Sequence, residues 1–487
     1  MRVVRTIVIG LSIVSVRPAT VAAQGFGIYE QSACSMGRGT AGVAEPCDDG
    51  SALYVNPARL AAGPALISGG LVLVDGDATF TGDDGNVTHS TSDLGIVPHV
   101  YGVWPVNKRL TLAVGAYAPY GLAVRWPQTF SGRFIAYQSD LKTLYMQPTV
   151  AYAINDLISV GGGVLWAMSS ITLNRHEDLA RVPLAPGLTF GSLVNDGTDF
   201  VETELASSWA HASGANIGGI VTIPEPWARS MRLRAVRVGV SYLTKVSFEY
   251  DGRATFTPVP GDVRVTKANP LGLPVGTPID PLVAQAQDAL QDQDVTTAFD
   301  MPSQLAIGAS VHPTERLIVL GDYQRVGWSA FDSVTLNFLT GVPAPETLVQ
   351  NYRDTQALRL GFEYQLQQER PQSQGGVIRG VTLRGGYFAN EAAAPDETVT
   401  PLLPDAKRNH FTVGASFDVL SRMRDPGARR GPSSALTLDV GYQYVHHADR
   451  RGRTDNSAVG EPPTIALNNG LYHSRAHLLA LMMVYRP

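Results

Sequence analysis

The chain has 487 residues, a formal net charge of −5 and a mean hydropathy of zero. It carries no basic run, which excludes the usual signature of a nucleic-acid partner, and past its N-terminus nothing approaches the roughly 18 uninterrupted apolar residues of a membrane helix. A zero average is what strands alternating lipid-facing with lumen-facing residues produce, although a soluble β-protein shares it.

Arg2 and Arg5, an apolar run from Ile7 to Val16, and the small residues Val21-Ala22-Ala23 read as a secretory signal peptide over 1–23. Before Cys34 stand Gln31-Ser32-Ala33, without the aliphatic residue that a lipoprotein signal places three before its cysteine. Residues 24–64 then form a separate plug rich in Gly and small side chains. Within it, Pro57 lacks an N–H and pushes Asn56 toward an extended backbone, while the Asn amide bonds locally; Asn56-Pro57-Ala58 predicts a compact, non-helical turn. Cys34 and Cys47 are the only cysteines and both fall in this exported segment. A disulfide is the expectation and two free thiols the alternative; a two-cysteine metal site lacks further ligands. Gly37-Arg38-Gly39-Thr40-Ala41-Gly42 satisfies a dinucleotide fingerprint in letters only, because no strand precedes it and no helix follows; its glycines let the plug backbone bend. No cofactor is expected.

From residue 65 to 487 the pattern has period two. Val236, Val238, Val240, Tyr242, Val246, Phe248 and Tyr250 fall on one face against Arg237, Gly239, Ser241, Lys245, Ser247 and Glu249; one face suits lipid and the other water. Strands are predicted at 65–74, 92–106, 109–126, 140–154, 157–173, 205–222, 232–250, 296–311, 315–338, 354–368, 376–388, 407–421, 434–448 and 470–486. The count is fourteen. Tight turns at Asn107-Lys108, Asn155-Asp156 and His312-Pro313-Thr314 alternate with long links near 174–204, 251–295, 389–406 and 449–469. Short periplasmic turns and long outer loops are the pattern of an antiparallel transmembrane β-barrel, whose closure leaves no exposed edge.

Several stretches carry a family resemblance: Gly37-Arg38, Asp48-Asp49 and Asn56-Pro57-Ala58 in the plug, Pro119-Tyr120-Gly121-Leu122-Ala123, Tyr352-Arg353-Asp354, and Pro404-Asp405-Ala406-Lys407-Arg408. The chain resembles the FadL-type long-chain fatty-acid transporters of the bacterial outer membrane over most of its mature length. The resemblance implies a fourteen-stranded barrel plugged by an N-terminal hatch, with Asn56, Pro57 and Ala58 in the gate. It also implies a lateral opening toward the membrane lipid where Pro119 and Gly121 interrupt the third strand, an interruption the residues themselves predict as a bulge or kink. One departure is the C-terminus, where Tyr485 is followed by Arg486 and Pro487 instead of closing the chain on an aromatic residue.

The resemblance places Arg408 and Asp354 in and near the cargo pocket. The expectation is that Arg408 meets a carboxylate with its planar fork and is held by Asp354 in the empty protein, either as that device or as a structural ion pair. Arg175, at the end of the fifth strand, is a second cation. The outer links are apolar for exposed segments: Leu179, Val182, Leu184, Leu188, Phe190, Leu193 and Val194 in one, and in the other a helix with Asp280 as N-cap, Pro281 at N1 and a Leu282, Ala286, Leu290 stripe. They form a landing groove, a lid, or both. His446-His447 points to opposite faces of a strand, so it holds no metal jointly; both read as solvated.

The expected protein is a passive, monomeric outer-membrane channel for hydrophobic small molecules, long-chain fatty acids first and aromatic hydrocarbons second, with no catalysis. An outer-membrane enzyme would need a nucleophile and base that the chain does not mark out. A hydrophilic porin would lack the hatch, and an energised receptor would need a far larger plug.

Overall fold

In the computed structural model the described residues are 26–61, 63–367, 378, 380–402, 404–421, 435–452 and 469–487. The signal peptide expected over 1–23 lies outside them. Fourteen wall strands run in chain order: β1 Leu66–Gly82, β2 Gly95–Pro105, β3 in two pieces (Leu110–Tyr117 and Gly121–Arg125), β4 Gln138–Ala153, β5 Ile158–Asp178, β6 (Asp199–Ser207 and Ala210–Thr222), β7 (Ala235–Leu243 and Val246–Pro258), β8 (Gln293–Met301 and Gln304–His312), β9 Leu317–Val326, β10 Thr355–Gln367, β11 Gly380–Asn390, β12 Arg408–Ser421, β13 Ala435–His447 and β14 Gly470–Arg486. Each pairs antiparallel with its sequence neighbours, and β1 pairs with β14 from Ile67 opposite Tyr485 to Gly82 opposite Gly470, so the sheet closes. The closing ladder forms although the chain ends on Arg486-Pro487.

The three tight turns use one device. Asn107 Oδ1 accepts from the amides of Arg109 and Leu110, Asn155 Oδ1 from Leu157 and Ile158, and Thr314 Oγ1 from Arg316 and Leu317. Short polar side chains that bond two or three residues ahead replace the main-chain partners a turn lacks.

Period two governs the wall as expected along β10, where Leu358, Leu360, Phe362, Tyr364 and Leu366 are exposed to lipid while Arg359 and Gly361 face the lumen and are buried. In β7 the expectation needs correction. Val238, Val240 and Tyr242 point outward, but Val246, Phe248 and Tyr250 are buried in the lumen and Ser247 and Glu249 are exposed. The strand breaks at Thr244-Lys245, and one extra residue flips every side chain beyond it. Neighbouring β6 and β8 break at 208–209 and 302–303, and beyond the break in β8 Val295 and Thr297 turn inward while Asp294 and Ala298 face out. Above that level the outer surface is polar and the lumen apolar, the arrangement of a wall that has left the lipid.

The predicted strand 315–338 also divides. β9 ends at Val326, and Ser333–Phe338 folds back on Glu346–Val349 as a hairpin over the lumen. The outer links pack on one another. Leu179, Phe190, Leu193, Val194, Ile279 and Val283 form a satellite core with Val265 and Leu336, which makes these links a lid. The helix there runs Asp280–Asp288, and Asp280 does not cap it: its Oδ1 accepts from the Val263 amide at 2.9 Å.

Candidate functional site: cavity, wall break and hatch

Above the hatch lies a cavity of about 120 Å³. Its wall is Leu122 of β3, Leu141 of β4, Ile171 and Leu173 of β5, and, from the inverted part of the wall, Tyr250 and Phe299. Its floor is Phe26, whose ring meets Trp328 edge-on at 4.8 Å and Phe331 at 5.2 Å, and its roof is Val334, Leu336 and Leu348 of the hairpin. Asp140 is the one carboxylate among the described lining, and its Oδ2 is turned to Gln138 Nε2 at 2.6 Å and to Arg125 at 3.7 Å, while its Oδ1 has no hydrogen-bond partner. Dispersion and burial of apolar surface therefore dominate what this cavity offers a ligand.

The wall is incomplete beside the cavity. β2 and β3 pair from Val100 opposite Ala116 to Pro105 opposite Thr111, but beyond Tyr117 the strand leaves the ladder. Gly121–Arg125 then pairs with β4 alone, and β2 residues 95–99 pair with β1 alone. Pro119 and Gly121 sit at this break. Main-chain groups freed there bond to the hatch: Ile28 N donates to Pro119 O at 2.7 Å, Gly121 N to Phe26 O at 2.8 Å, and Gln31 Nε2 to Ala118 O at 2.9 Å. The gap is bridged at its outer end by Thr91 N donating to Arg125 O and by the Arg125–Asp93 ion pair.

Residues Phe26 to Ala61 fill the lumen below. Two short helices, Ala33–Gly37 capped by Ser32 Oγ and Ala52–Val55, precede a 3₁₀ turn at Pro57–Leu60, so the expected non-helical turn is corrected: the Pro starts a helical turn because its fixed φ suits a first helical position. Asn56 is extended, as its place before Pro requires, and its Oδ1 accepts from Ala58 N at 3.1 Å. Its Nδ2 lies within bonding distance of three carbonyls, Val43 at 2.8 Å and Gly219 and Val240 of the wall at 3.2 Å each. Gate and wall are thus tied by one buried amide. Approach is close enough that a Cβ at Gly218 would collide with Asn56 Oδ1, and one at Gly239 or Gly361 with the hatch carbonyls of Val43 or Arg38.

Charge also anchors the hatch. Glu363 of β10 accepts from Arg38 Nη2 at 2.6 Å and from Arg384 Nε at 2.7 Å, and Arg384 reaches Asp439. Burial opposes the Arg38 charge, but the neighbouring Glu363 carboxylate outweighs it and raises the guanidinium pKa. Glu45 is held by Arg237, by His312 Nε2 at 2.8 Å and by Ser310 Oγ at 2.8 Å. Its burial favours the neutral acid; the hydrogen bond from His312 and the charge of Arg237 prevail and keep the carboxyl well below its ordinary range. Cys34 and Cys47 form a disulfide with a sequence separation of 13, which constrains the unfolded hatch by roughly 3 kcal/mol in the chain-entropy estimate. The Asp49 carboxylate lies within 4.8 Å of both sulfurs, but they are bonded to each other.

The three charged residues expected at the pocket do not line the apolar cavity. Asp354 pairs with Arg325 Nη2 at 2.9 Å and accepts from Ser329 N at 3.1 Å, which corrects the expected Asp354–Arg408 pair. Arg408 is buried, its Nε and Nη2 have no hydrogen-bond partner, and Asp405, Tyr29 and Glu30 act on it electrostatically. Arg175 is engaged by two carboxylates: both Nη atoms reach Glu346 of the roof hairpin, at 2.9 and 2.5 Å, and Nε reaches Glu177 at 2.9 Å. His447 is fully buried and His446 exposed; the opposite facing holds, but the expectation that both are solvated does not. Tyr250 and Phe299 were missed as cavity residues because the face they occupy depends on the β6–β8 breaks, and the roof residues because 315–338 folds back as a hairpin instead of running on as one strand.

An apolar cavity above a hatch, inside a closed fourteen-stranded barrel with a break beside the cavity, defines a plugged outer-membrane transport barrel. The chain matches the outer membrane protein transport protein (OMPP1/FadL/TodX) family over residues 14–486 and belongs to it. It is 23% identical to outer membrane protein P1 of Haemophilus influenzae, covering 93% of each chain. In fold it is similar to a FadL homologue of Pseudomonas aeruginosa (TM-score 0.73, 18% identity, 95% of this chain and 99% of that one). It is also similar to the toluene transporter TodX of Pseudomonas putida (TM-score 0.61, 18% identity, 95% and 99%). The protein is an outer-membrane member of a family that transports hydrophobic compounds.

Proposed function

We propose that the protein is a passive uptake channel in which hydrophobic molecules occupy the cavity above the hatch and leave sideways between β2 and the outer piece of β3. The observation that carries this reading is Leu122, which lines the cavity and belongs to the piece of β3 that does not pair with β2. Cargo there has the apolar cavity on one side and the unpaired edge of β2 on the other.

The lining favours uncharged cargo. Among the described lining residues none is a cation, and a carboxylate taken out of water without one is costly. A second reading, long-chain fatty acids, is supported by Arg408, which lies beside hatch residues Tyr29 and Glu30 and whose two unpartnered nitrogens suit a carboxylate.

The test compares toluene and oleate uptake into vesicles carrying the wild type or Arg408→Met. Uptake of toluene that the substitution leaves unchanged, with little oleate uptake, supports the uncharged reading. A selective loss of oleate uptake of about tenfold, the equivalent of roughly 1.4 kcal/mol, supports the acid. Uptake of neither above protein-free vesicles rejects the channel.

A further inference from the structure

One link at the tight-turn end of the barrel, the end that faces the periplasm in outer-membrane barrels, is not tight. β6 and β7 are joined by residues 223–234, which contain a helix at Glu225–Ser230. Ala228 alone of its residues is buried. Trp227 and Met231, four residues apart and so on one side of the helix, are 68% and 51% exposed. The wall from which this link hangs is apolar and exposed as well: Val221 near the end of β6, Val238 near the start of β7, and Ile154 and Leu157 at the neighbouring turn, where Thr222 N donates to Leu157 O at 2.7 Å. The link therefore starts and ends in the lipid-facing belt, at the depth where the amphipathic ring of Trp is favoured.

The same link is basic. Arg229, Arg232 and Arg234 are all exposed. Arg229 pairs with Glu225, and Arg234 lies 3.5 Å from Glu315, but both pairs are open to water and therefore weak. Arg232 makes no ion pair among the described residues and stands at φ 60°. Its amide donates to Arg229 O at 2.9 Å and that of Leu233 to Ala228 O at 3.0 Å, the two bonds of a helix end whose left-handed position glycine ordinarily fills. A side chain is kept there against the preference of its backbone, which singles out the guanidinium as what the position supplies. We propose that the 223–234 link docks on the periplasmic leaflet, Trp227 and Met231 entering it while Arg229, Arg232 and Arg234 hold the phosphates of anionic phospholipid. Guanidinium forks match phosphate oxygens, and cations beside a membrane span attract anionic lipid. The inference depends on the outer-membrane placement and not on the channel reading.

The chain has six tryptophans, so the emission of Trp227 is read as the difference between the wild type and Trp227→Phe. Both would be reconstituted in phosphatidylcholine vesicles containing either brominated phosphatidylglycerol or brominated phosphatidylcholine at one mole fraction, since bromine quenches only rings that its lipid touches. The expected result is quenching of Trp227 by both lipids, with a relative affinity for phosphatidylglycerol about fivefold higher, the scale of one cation beside an anionic lipid surface. Arg232→Gly, measured the same way with and without Trp227, relieves the left-handed residue and should keep the faster gel mobility of unheated protein. It should nevertheless lower the phosphatidylglycerol preference at least about twofold, because one of the cations is gone. Equal quenching by the two lipids, or a preference that Arg232→Gly leaves unchanged, overturns the assignment of the arginines. Trp227 emission that neither lipid quenches overturns the docking itself and directs the exposed face to a periplasmic protein.

Discussion

The amide of Ile28 in the hatch donates to the carbonyl of Pro119 in the wall at 2.7 Å. Pro119 cannot donate to a ladder, and the break it causes would leave main-chain groups of 118–121 unpaired inside the lumen. The hatch N-terminal segment supplies partners for Ala118 O, Pro119 O and Gly121 N, and Thr143 of β4 serves both groups of Tyr120, so the plug and the wall break are parts of one hydrogen-bonded unit. A Cβ on Gly121 would stand 3.0 Å from Ile28 Cδ1. Gly121→Leu should therefore fill the opening and push on the hatch together. Uptake is expected to fall about tenfold or more, roughly 1.4 kcal/mol in barrier, while the unheated gel mobility of a closed barrel is kept. A folded variant with wild-type uptake would rule out the sideways route.

The roof is closed by a bidentate pair between Arg175 on β5 and Glu346 on the hairpin. Forked pairs of this kind fix geometry as well as energy. Glu346→Gln removes the charge and leaves Arg175 with Glu177. We expect faster amide exchange over 333–349 and faster entry of cargo, with the barrel unaffected; unchanged exchange in the hairpin would show that apolar packing alone holds the roof.

Asn56 satisfies hatch and wall with one side chain. Asn56→Ala strands Ala58 N and the carbonyl of Val43 in a buried site, at a cost of about 1–3 kcal/mol for each group left unpaired. The hatch should loosen before the barrel does. Single-channel recording in planar bilayers would register this as frequent brief openings absent from the wild type, and a silent variant would count against the role of Asn56 as a tie.

Hatch seating should weaken in acid. Glu45 is held below its ordinary pKa, so its contribution is complete above the unfolded-state value of about 4.3 and is lost as pH falls below that toward the folded value. Facing groups are Arg237 and His312 on the wall, with Asp322 holding the neighbouring amides of Gly42 and Val43. The protection of those two amides, taken relative to the intrinsic exchange rate at each pH, should fall between pH 5 and pH 3 (a range set by the carboxylate values just given, about 4) in the wild type. In Glu45→Gln it should already be low at pH 7, with less further change. Identical pH profiles for the two proteins would show that Glu45 does not hold the hatch in its seat.

Much of the architecture was legible because it rests on local chemistry. A side-chain period of two places Leu358 and Leu360 toward lipid wherever the strand is regular. Asn107, Asn155 and Thr314 mark turns because their side chains bond the chain a few residues on. Pro119 and Gly121 mark a break because one lacks a donor and the other a side chain, and two cysteines in one short plug make a disulfide the expectation, with free thiols the alternative. What the sequence could not determine depends on residues far apart in the chain. The breaks at Thr244-Lys245 and in the neighbouring strands invert the facing of Phe248 and Tyr250, and a one-residue slip is invisible to a pattern that continues unbroken in letters. Ion-pair partners are chosen by where strands and loops finally lie. Arg325 reaches Asp354 from the next strand, Glu346 comes to Arg175 from a folded-back hairpin, and Arg408 is left beside Tyr29 and Glu30 of the hatch, because Coulomb attraction acts between atoms that closure of the barrel has brought within a few ångströms and not between positions in a motif.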